Sequence, residues 1–315
     1  MLPVIAVDFG GTHIRAAYYP SDEPQPAEQI KVKTHAEEGP QSVLNRIASA
    51  IESVVPQDPT DLRIGIASPG PLDPYRGVIL STPNLPGWDH VPIVEDMVER
   101  FGCPVVLNND ANCAALGEWR HGAGKGVEHL IYLTISTGIG GGVITHGQLL
   151  MGARGLAAEL GHMTVVPNGS RCGCGQYGHI ESIASGPSVV RSVRKRLDAG
   201  EPSILNEIIP SLDELDAEVI SRAAYAGDSL SRSAIQFAGA AIGSHLASLV
   251  HAFDPERIII GGGFSQVGDL LFTPMLERLQ AEVLDKAYLE NLQLIPAELG
   301  DDAGLIGAMT LARQL

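Results

Sequence analysis

Short apolar runs alternate with glycine-rich turns and with longer stretches of helical periodicity along this chain. Residues 4–7 and 14–19 have the pattern of buried strands, and Gly10 and Gly11 lie between them. The sequence therefore predicts a β-hairpin near its start. Residues 130–136 begin a similar series of strand, glycine turn and strand, and the repetition hints at a duplicated fold.

Strands and helices alternate through the rest of the sequence, which predicts an α/β fold class. Further strands are expected at residues 62–67, 105–107, 143–145, 257–260 and 293–295. Helices are expected at residues 41–55, 92–101, 111–120, 217–226 and 229–253, and from about residue 303 onward. Residues 137–142 are expected to form the turn of the repeated series.

Composition and charge narrow the class of protein. The 315 residues suffice for two domains or for one large α/β domain. The formal net charge of −16 repels nucleic acid and anionic membranes, so neither is an expected partner. The first residues lack the features of a secretory signal, and the 4 cysteines do not form a disulfide framework, so a cytoplasmic location is expected.

Three glycine turns are candidates for phosphate binding. The first is Asp8-Phe9-Gly10-Gly11-Thr12, the second is Ser136-Thr137-Gly138, and the third is Gly261-Gly262-Gly263. Glycine permits both a close approach of the backbone and a positive φ, so such turns can bind phosphate through N–H groups. Asp8 is suited to hold Mg²⁺, directly or through water. The alternative is that each turn only closes a hairpin.

Asn109 and Asp110 follow the predicted strand at residues 105–107, with Asn112 just beyond. Ligands of open α/β sheets bind outside the carboxyl ends of the strands. An Asp at that place can accept the proton of a hydroxyl that attacks a phosphoryl group. The alternative is a helix N-cap, for which Asn and Asp are also favoured.

Residues 159–181 combine metal ligands with carboxylates. His162, Cys172, Cys174 and His179 supply imidazole and thiolate groups at close spacing, which suits a tetrahedral Zn²⁺ site. A closed site of four ligands leaves two carboxylates for another role, and these are Glu159 and Glu181. The alternative is that His179 is a surface residue and that the metal site is weak or empty.

Taken together, these motifs resemble those of the ROK family of sugar kinases and repressors, within the actin-like ATPase superfamily. The first two glycine turns resemble the two phosphate motifs of that family, and the third is similar to its adenosine motif. The segment 159–181 resembles the family signature ExGH followed by CxCGxxGCxE. It departs from that signature at His179, where the family usually has a cysteine.

The resemblance implies two domains of ribonuclease-H-like topology with the active site in a cleft between them. The smaller domain would comprise residues 1–118 and 303–315, and the larger domain residues 119–302 with the zinc loop. Asp110 would be the general base for the sugar 6-hydroxyl. The sugar would be bound by Asn109, Glu159, His162 and Glu181, with Gly70 and Asn84 at the border of the pocket. The nucleotide would be bound by Asp8, Gly10, Gly11, Thr12, Arg15, Thr137, Gly138, Gly262 and Gly263.

The implied activity is phosphorylation of a hexose at its 6-hydroxyl by ATP with Mg²⁺, with glucose as the first choice of acceptor. The open alternatives are mannose, fructose or an N-acylhexosamine as acceptor, and polyphosphate or ADP as donor. A sugar-responsive regulator is the non-enzymatic alternative. It is disfavoured because the first phosphate strand begins at Val4 and leaves no room for a DNA-binding segment before it. The family also suggests a homo-oligomer, a dimer or a tetramer.

Overall fold

The computed structural model of the protein describes residues 2–56, 61–82 and 85–315. The chain divides into two compact units. The first unit comprises residues 1–132, 142–158 and 297–315, and the second comprises residues 133–141 and 159–296. The domain boundaries expected from the sequence, at residues 118 and 303, stay a prediction.

The strands and helices alternate as expected for the α/β class, which is confirmed. The strands are β1 (Val4–Phe9), β2 (His13–Tyr19), β3 (Glu28–Lys33), β4 (Arg63–Ser68), β5 (Leu72–Asp73), β6 (Val78–Ser81), β7 (Asp89–Val91), β8 (Val105–Asn109), β9 (Leu130–Ile135), β10 (Ile139–Thr145), β11 (Gln148–Leu149), β12 (Arg257–Gly261) and β13 (Gln293–Pro296).

The helices are α1 (Pro40–Val54), α2 (Ile93–Phe101), α3 (Asp110–His121), α4 (Glu181–Ala184), α5 (Gly186–Asp198), α6 (Leu205–Ile208), α7 (Ala217–Tyr225), α8 (Ser229–Phe253), α9 (Asp269–Glu282) and α10 (Ala303–Ala312). Short 3-10 helices include Leu160–His162 and Gly263–Val267, both of which follow candidate site residues.

The sheet of the first unit has the strand order β3-β2-β1-β4-β8. The predicted hairpin is confirmed, since β1 and β2 pair antiparallel, while β1, β4 and β8 run parallel. Alternate residues of β1 point to opposite faces. Ile5 and Val7 join a buried cluster with Ile47 and Ile51 of α1, whereas Asp8 lies beside Gly304 of α10 on the other face.

The second sheet has the order β11-β10-β9-β12-β13, which matches the order of the first sheet strand for strand. In both sheets the antiparallel strands lie at one edge, and in both a parallel pair lies at the other edge. The equal order supports the duplication suggested by the repeated strand, turn and strand pattern.

The prediction of a turn over residues 137–142 is wrong in its extent, because β10 already begins at Ile139. Only Ser136, Thr137 and Gly138 form the turn, which the hydrogen bond from Ser136 N to Gly138 O closes at 2.8 Å. Glycine at position 142 serves packing, since a Cβ there would lie 2.6 Å from the Cβ of Ala115 in α3. The glycine run thus lets a strand lie close to a helix.

Helix α8 is long and apolar enough to span a membrane by length and composition. However, 61% of its apolar window is buried inside the protein, as in the core helix of a soluble protein, so the composition is weak evidence for a span. The helix packs most closely against α9, where Gly239 and Gly243 allow the backbones to approach.

Candidate active site

The first glycine turn follows β1 directly. Gly10 N donates to His13 O at 2.9 Å, and the Thr34 hydroxyl donates to Gly10 O at 2.6 Å. Thr34 N also donates to Thr12 O at 2.9 Å, so the start of the loop after β3 holds the turn at two points. A cavity of about 300 Å³ opens beside the turn. Its walls include Asp8, Gly10, Gly11, Thr12, Arg15 and Asp301.

Asp8 is the second-last residue of β1, just before the buried Phe9, and pairs with Arg15 on β2. Arg15 also bonds to the Asp301 carbonyl and, at 3.3 Å, to the Asp302 carboxylate. Burial raises the pKa of Asp8, and the positive charge of Arg15 acts in the opposite direction. Two acidic groups, Asp8 and Asp301, therefore line a small cavity at the end of a strand.

The carboxyl ends of β4 and β8 lie side by side, because Ser68 and Asn109 are partners in the parallel register. Asn109 is the N-cap of α3, and its side-chain oxygen accepts from Ala111 N at 2.9 Å. Its amide nitrogen reaches over Gly70, where an added Cβ would be only 3.1 Å from Nδ2. A side chain at position 70 would therefore press against the Asn109 amide, which would have to shift by a few tenths of an ångström.

Asp110 is the first residue of α3 and is exposed, with its carboxylate accepting from Ala111 N at 2.8 Å. The amide dipoles at a helix start favour a negative charge there. Burial raises the pKa of Cys113 within α3, and the charges of Asp8 and Asp110 raise it further. Both carboxylates therefore lie near the same thiol, so β1 and α3 bring together two groups that are distant in sequence. Asn84, the other predicted border residue, lies outside the described residues.

The four predicted metal ligands lie together in the second unit, with all their ligand atoms within 4.8 Å of one another. His162 Nδ1 is 3.4 Å from His179 Nδ1 and 3.7 Å from Cys172 Sγ, and Cys174 Sγ is 3.4 Å from His179 Nδ1. Ligands around one tetrahedral Zn²⁺ would be about 3.3 Å apart for two nitrogens and about 3.5 Å apart for nitrogen and sulfur. The donor set and its spacing fit zinc, and His179 points into the cluster.

The backbone of the loop fixes these ligands. Cys172 N donates to Gln176 O at 2.7 Å, and Gly175 N donates back to Cys172 O at 2.9 Å. Gly175 and Gly178 have φ values of 94° and 76°, which are strained for residues with a side chain. Burial raises the pKa of the Cys172 thiol to about 12, and a bound metal cation would act in the opposite direction by replacing the proton.

Glu159 and Glu181 flank the cluster in different ways. Glu181 accepts from the Cys172 thiol at 3.1 Å and, with its other oxygen, from Ile139 N at 3.0 Å. Glu159 precedes the 3-10 helix that carries His162 and keeps an exposed side chain. Desolvation raises the pKa of Glu159. The charge of His162 lowers this pKa, and the charge of Glu181 raises it, so both side chains act on Glu159.

A larger cavity, of about 880 Å³, lies within the second unit. Thr137 of the second glycine turn and Gly263 of the third both line it, together with residues of α5 and α7. A volume of this size is within the range of small-molecule sites. The other walls include Arg191, Arg194, Leu215, Glu218 and Phe264. The sequence did not predict these wall residues. The one pattern that could have indicated them is the pair Arg191 and Arg194, which are one helical turn apart.

Similarity to known proteins shows the family of this chain. The sequence profile of the ROK family matches residues 4–315. This chain belongs to the ROK family. It is 36% identical over 313 residues to a glucokinase from Thermotoga maritima, covering 99% of this chain and 98% of that protein.

Solved structures of the family are also similar to this ROK protein. A ROK-family glucokinase from Streptomyces griseus, crystallised with glucose and AMPPNP, has a TM-score of 0.84 and 35% identity and covers 99% of this chain and 100% of that chain. A ROK transcriptional regulator homologous to Escherichia coli Mlc has a TM-score of 0.87 at 26% identity, but this chain covers only 78% of that chain.

The predicted fold class is confirmed, namely two ribonuclease-H-like domains of the actin-like ATPase superfamily. Full-length similarity to several glucokinases establishes this ROK protein as a sugar kinase. The roles assigned to individual site residues stay predictions. The structure groups them as described above, with the two carboxylates Asp8 and Asp110 in the first unit and the metal cluster in the second.

Proposed function

We propose that the protein phosphorylates glucose at the 6-hydroxyl with ATP as donor. The observation that carries this proposal is the place of Asp110. An exposed carboxylate stands at the start of α3, beyond the carboxyl end of a parallel strand, in the same unit as the first glycine turn. That is the position from which a base can act on a bound hydroxyl.

In the proposed reaction, the Asp110 carboxylate takes the proton of the sugar 6-hydroxyl while the 6-oxygen of the sugar bonds to the γ-phosphorus of ATP. The bond from that phosphorus to the bridging oxygen breaks in line, and ADP leaves with the electron pair. No phosphoenzyme is formed. Asn109 assists by holding neighbouring sugar hydroxyls with its amide nitrogen, since its oxygen already caps α3.

We assign the recognition of the sugar ring to Glu159, His162 and Glu181. Carboxylates suit this task because each can accept hydrogen bonds from several hydroxyls at once. Glu159 directly precedes the 3-10 helix that carries His162, and Cys172 Sγ lies 3.7 Å from His162 Nδ1 and 3.1 Å from Glu181 Oε1, which supports a shared ligand. Gly70 and Asn84 are proposed to complete the border of the pocket.

We assign the nucleotide to the three glycine turns and to the cavity of about 880 Å³. Gly10, Gly11 and Thr12 would bind phosphate oxygens in the first unit, with Arg15 beside them. In the second unit Thr137, Gly138, Gly262 and Gly263 would bind the remaining parts of the nucleotide. The apolar side chains Leu215 and Phe264 in the cavity walls suit an adenine ring.

Two metal ions belong to this proposal. Mg²⁺ would neutralise charge on the transferred phosphates. The carboxylates of Asp8 and Asp301 in the small cavity offer the hard oxygen ligands that it prefers. Zn²⁺ would act structurally, held by His162, Cys172, Cys174 and His179 so that the sugar-binding loop keeps its shape.

The test is a coupled assay of purified protein with a panel of acceptors and donors. The acceptors are glucose, mannose, fructose and N-acetylmannosamine, and the donors are ATP, ADP and polyphosphate. We expect the highest kcat/KM for glucose with ATP. A higher kcat/KM for another hexose would change the assigned acceptor, and turnover of none of them would contradict the proposal.

The proposed location follows from the same proposal, whereas the proposed assembly rests on the family. An ATP-dependent kinase needs the nucleotide pool of the cytoplasm, where reduced thiols are also available to zinc. We expect a homodimer or homotetramer, which light scattering after gel filtration would measure as a mass of twice or four times that of one chain.

A further inference from the structure

One carboxylate joins two segments of the second unit. These are the metal loop, residues 162–179 with the four candidate ligands, and the second glycine turn, Ser136-Thr137-Gly138. Glu181 Oε2 accepts from Ile139 N, the residue that follows Thr137 and Gly138, at 3.0 Å. Glu181 Oε1 lies 3.1 Å from Sγ of the metal-ligand candidate Cys172. Ser188 donates to the backbone oxygen of Glu181 at 2.7 Å, so the start of α4 is itself fixed.

The glycine turn is held from both of its ends by this segment. Gly186 N donates to Ser136 O at 3.0 Å on the near side of the turn, and Glu181 takes Ile139 N on the far side. An added Cβ at Gly138 would lie 2.5 Å from Glu181 Oε2, which shows how closely the carboxylate lies against the turn. Thr137, at the middle of the turn, lines the cavity assigned to the nucleotide.

The sugar-binding turn contacts the same place. A Cβ at Gly161 would overlap the carbonyl oxygen of Ile139, so the backbone between Glu159 and His162 lies directly on the residue that Glu181 binds. Three functional segments of the second unit therefore meet at Ile139. These are the metal loop, the ExGH turn (residues 159–162) and the second glycine turn.

We propose that Glu181 is a positioning residue that couples the binding of sugar to the binding of nucleotide. This inference rests on the proposed function, since it takes residues 159–181 as the sugar side and Thr137 as the nucleotide side. A sugar hydroxyl that bonds to Glu181 fixes the carboxylate, and the fixed carboxylate holds Ile139 N and the turn in the geometry that binds the nucleotide. Binding linkage is reciprocal, so the nucleotide must strengthen sugar binding by the same factor.

The decisive measurement is the Kd of Mg-AMPPNP by calorimetry, with and without saturating glucose. For the unchanged protein we expect glucose to lower this Kd about fivefold or more. In Glu181→Gln one acceptor oxygen is replaced by an NH2 donor, so the side chain can no longer accept from Ile139 N with one oxygen and from a sugar hydroxyl with the other. We therefore expect the ratio of the two Kd values to fall close to one. The glucose concentration is raised in each variant until binding is saturated, so weaker sugar affinity does not distort the ratio.

Glu159→Gln is the matched control, because Glu159 is assigned to the sugar but does not bond to the turn. It should weaken glucose binding and keep the wild-type ratio. If Glu181→Gln also keeps the wild-type ratio, Glu181 is only a sugar ligand and the inference is wrong. If the unchanged protein binds neither glucose nor AMPPNP, the proposed function fails instead, and the two failures are thereby distinguished.

Hydrogen exchange provides a readout that does not depend on catalysis. A neutral amide oxygen is a weaker acceptor than a carboxylate oxygen, so exchange of the Ile139 amide should be faster in Glu181→Gln and unchanged in Glu159→Gln. Should Glu181→Gln fail to fold, Glu181→Asp keeps the charge but shortens the side chain by one methylene. The same loss of the Kd ratio is then expected, and a wild-type ratio in Glu181→Asp would overturn the inference.

Discussion

Two neighbouring polar residues at the end of β8 have different roles. Asn109 uses its side-chain oxygen to cap α3, and Asp110 is left with an exposed carboxylate at the first position of the helix. The sequence alone left a cap and a base as alternatives for Asn109 and Asp110. In the structure Asn109 is the N-cap, while Asp110 accepts from Ala111 N at 2.8 Å and keeps an exposed side chain, and its role as a base stays a prediction.

Asp110→Asn should lower kcat by about 100-fold or more, because an amide cannot take the proton of the attacking hydroxyl. The Kd for glucose should change little, since the amide keeps the size and polarity of the side chain. Steady-state kinetics and calorimetry measure the two quantities. Near-normal kcat with unchanged glucose binding would show that Asp110 is not the base.

A buried histidine predicts how stability depends on pH. His245 in α8 is 1% exposed, its ring donates to the Leu160 carbonyl, and its Nε2 has no hydrogen-bond partner among the described residues. Burial lowers its pKa from 6.5 to about 4. The unfolded chain therefore takes up a proton below pH 6.5, while the folded protein takes it up only near pH 4.

Stability should thus fall as the pH drops from 6.5 to about 4. His245→Gln keeps a donor for Leu160 but does not titrate in this range. Between pH 8 and pH 5, urea unfolding should show that the unchanged protein loses about 2 kcal/mol more than the variant. An equal loss in both proteins would show that His245 is not responsible.

At the scale of elements, close packing joins the ExGH turn to the second glycine turn. Gly161→Ala would place a methyl group against the carbonyl of Ile139 and should destabilise the protein by about 1–3 kcal/mol. Glucose affinity should fall as well, because Glu159 and His162 flank this position. Thermal unfolding and calorimetry provide the measurements.

Gly173→Ala is the matched control for this substitution. It lies in the same segment, between two of the cysteines, and nothing in the described part of the chain is within 4 Å of the place of its Cβ. Its stability should stay within about 0.5 kcal/mol of that of the unchanged protein. Equal effects of both substitutions would show that contact with Ile139 is not the cause.

The metal loop gives a prediction of composition. Purified protein should contain one zinc ion per chain. The double variant Cys172→Ser, Cys174→Ser should lose both the metal and the affinity for glucose. Metal analysis by mass spectrometry measures the content directly. Fully active protein with no metal would contradict the structural role, and His179→Cys, which restores the family pattern, should keep the metal.

Sequence patterns predicted many of the longer elements, although they missed β3 and α5, and they predicted the short elements poorly. The hairpin of β1 and β2, α3 and α8 all lie where periodicity placed them. The small sheet of β5, β6 and β7 was missed because its strands have 2 to 4 residues, too few for a period to appear. Helix α9 was missed too, and Pro274 within it is a residue that normally ends a helical pattern.

The candidate site was predicted in part for a related reason. Motifs confined to one segment, such as the four metal ligands, could be read directly, and the structure brings those ligands together. Contacts between distant segments left no local pattern. The bond from Ile139 N to Glu181 joins residues 42 apart, and the wall of the larger cavity draws on α5, α7 and the segment after β12.

At the scale of the whole molecule, the chain contains the same strand order twice, and the two compact units supply different parts of the proposed chemistry. The first unit holds Asp8 and Asp110, and the second holds the metal loop and the larger cavity. The acidic total charge of −16 does not oppose nucleotide binding if backbone N–H groups of the glycine turns bind the phosphates.

The central claim is tested most directly by the product that forms from glucose and ATP. Phosphorus NMR of the reaction mixture, together with an assay specific for glucose 6-phosphate, measures both the position and the amount of phosphate transferred. The account predicts one glucose 6-phosphate for each ATP consumed, and almost none with Asp110→Asn. Release of inorganic phosphate alone, or a phosphate on another hydroxyl, would contradict it.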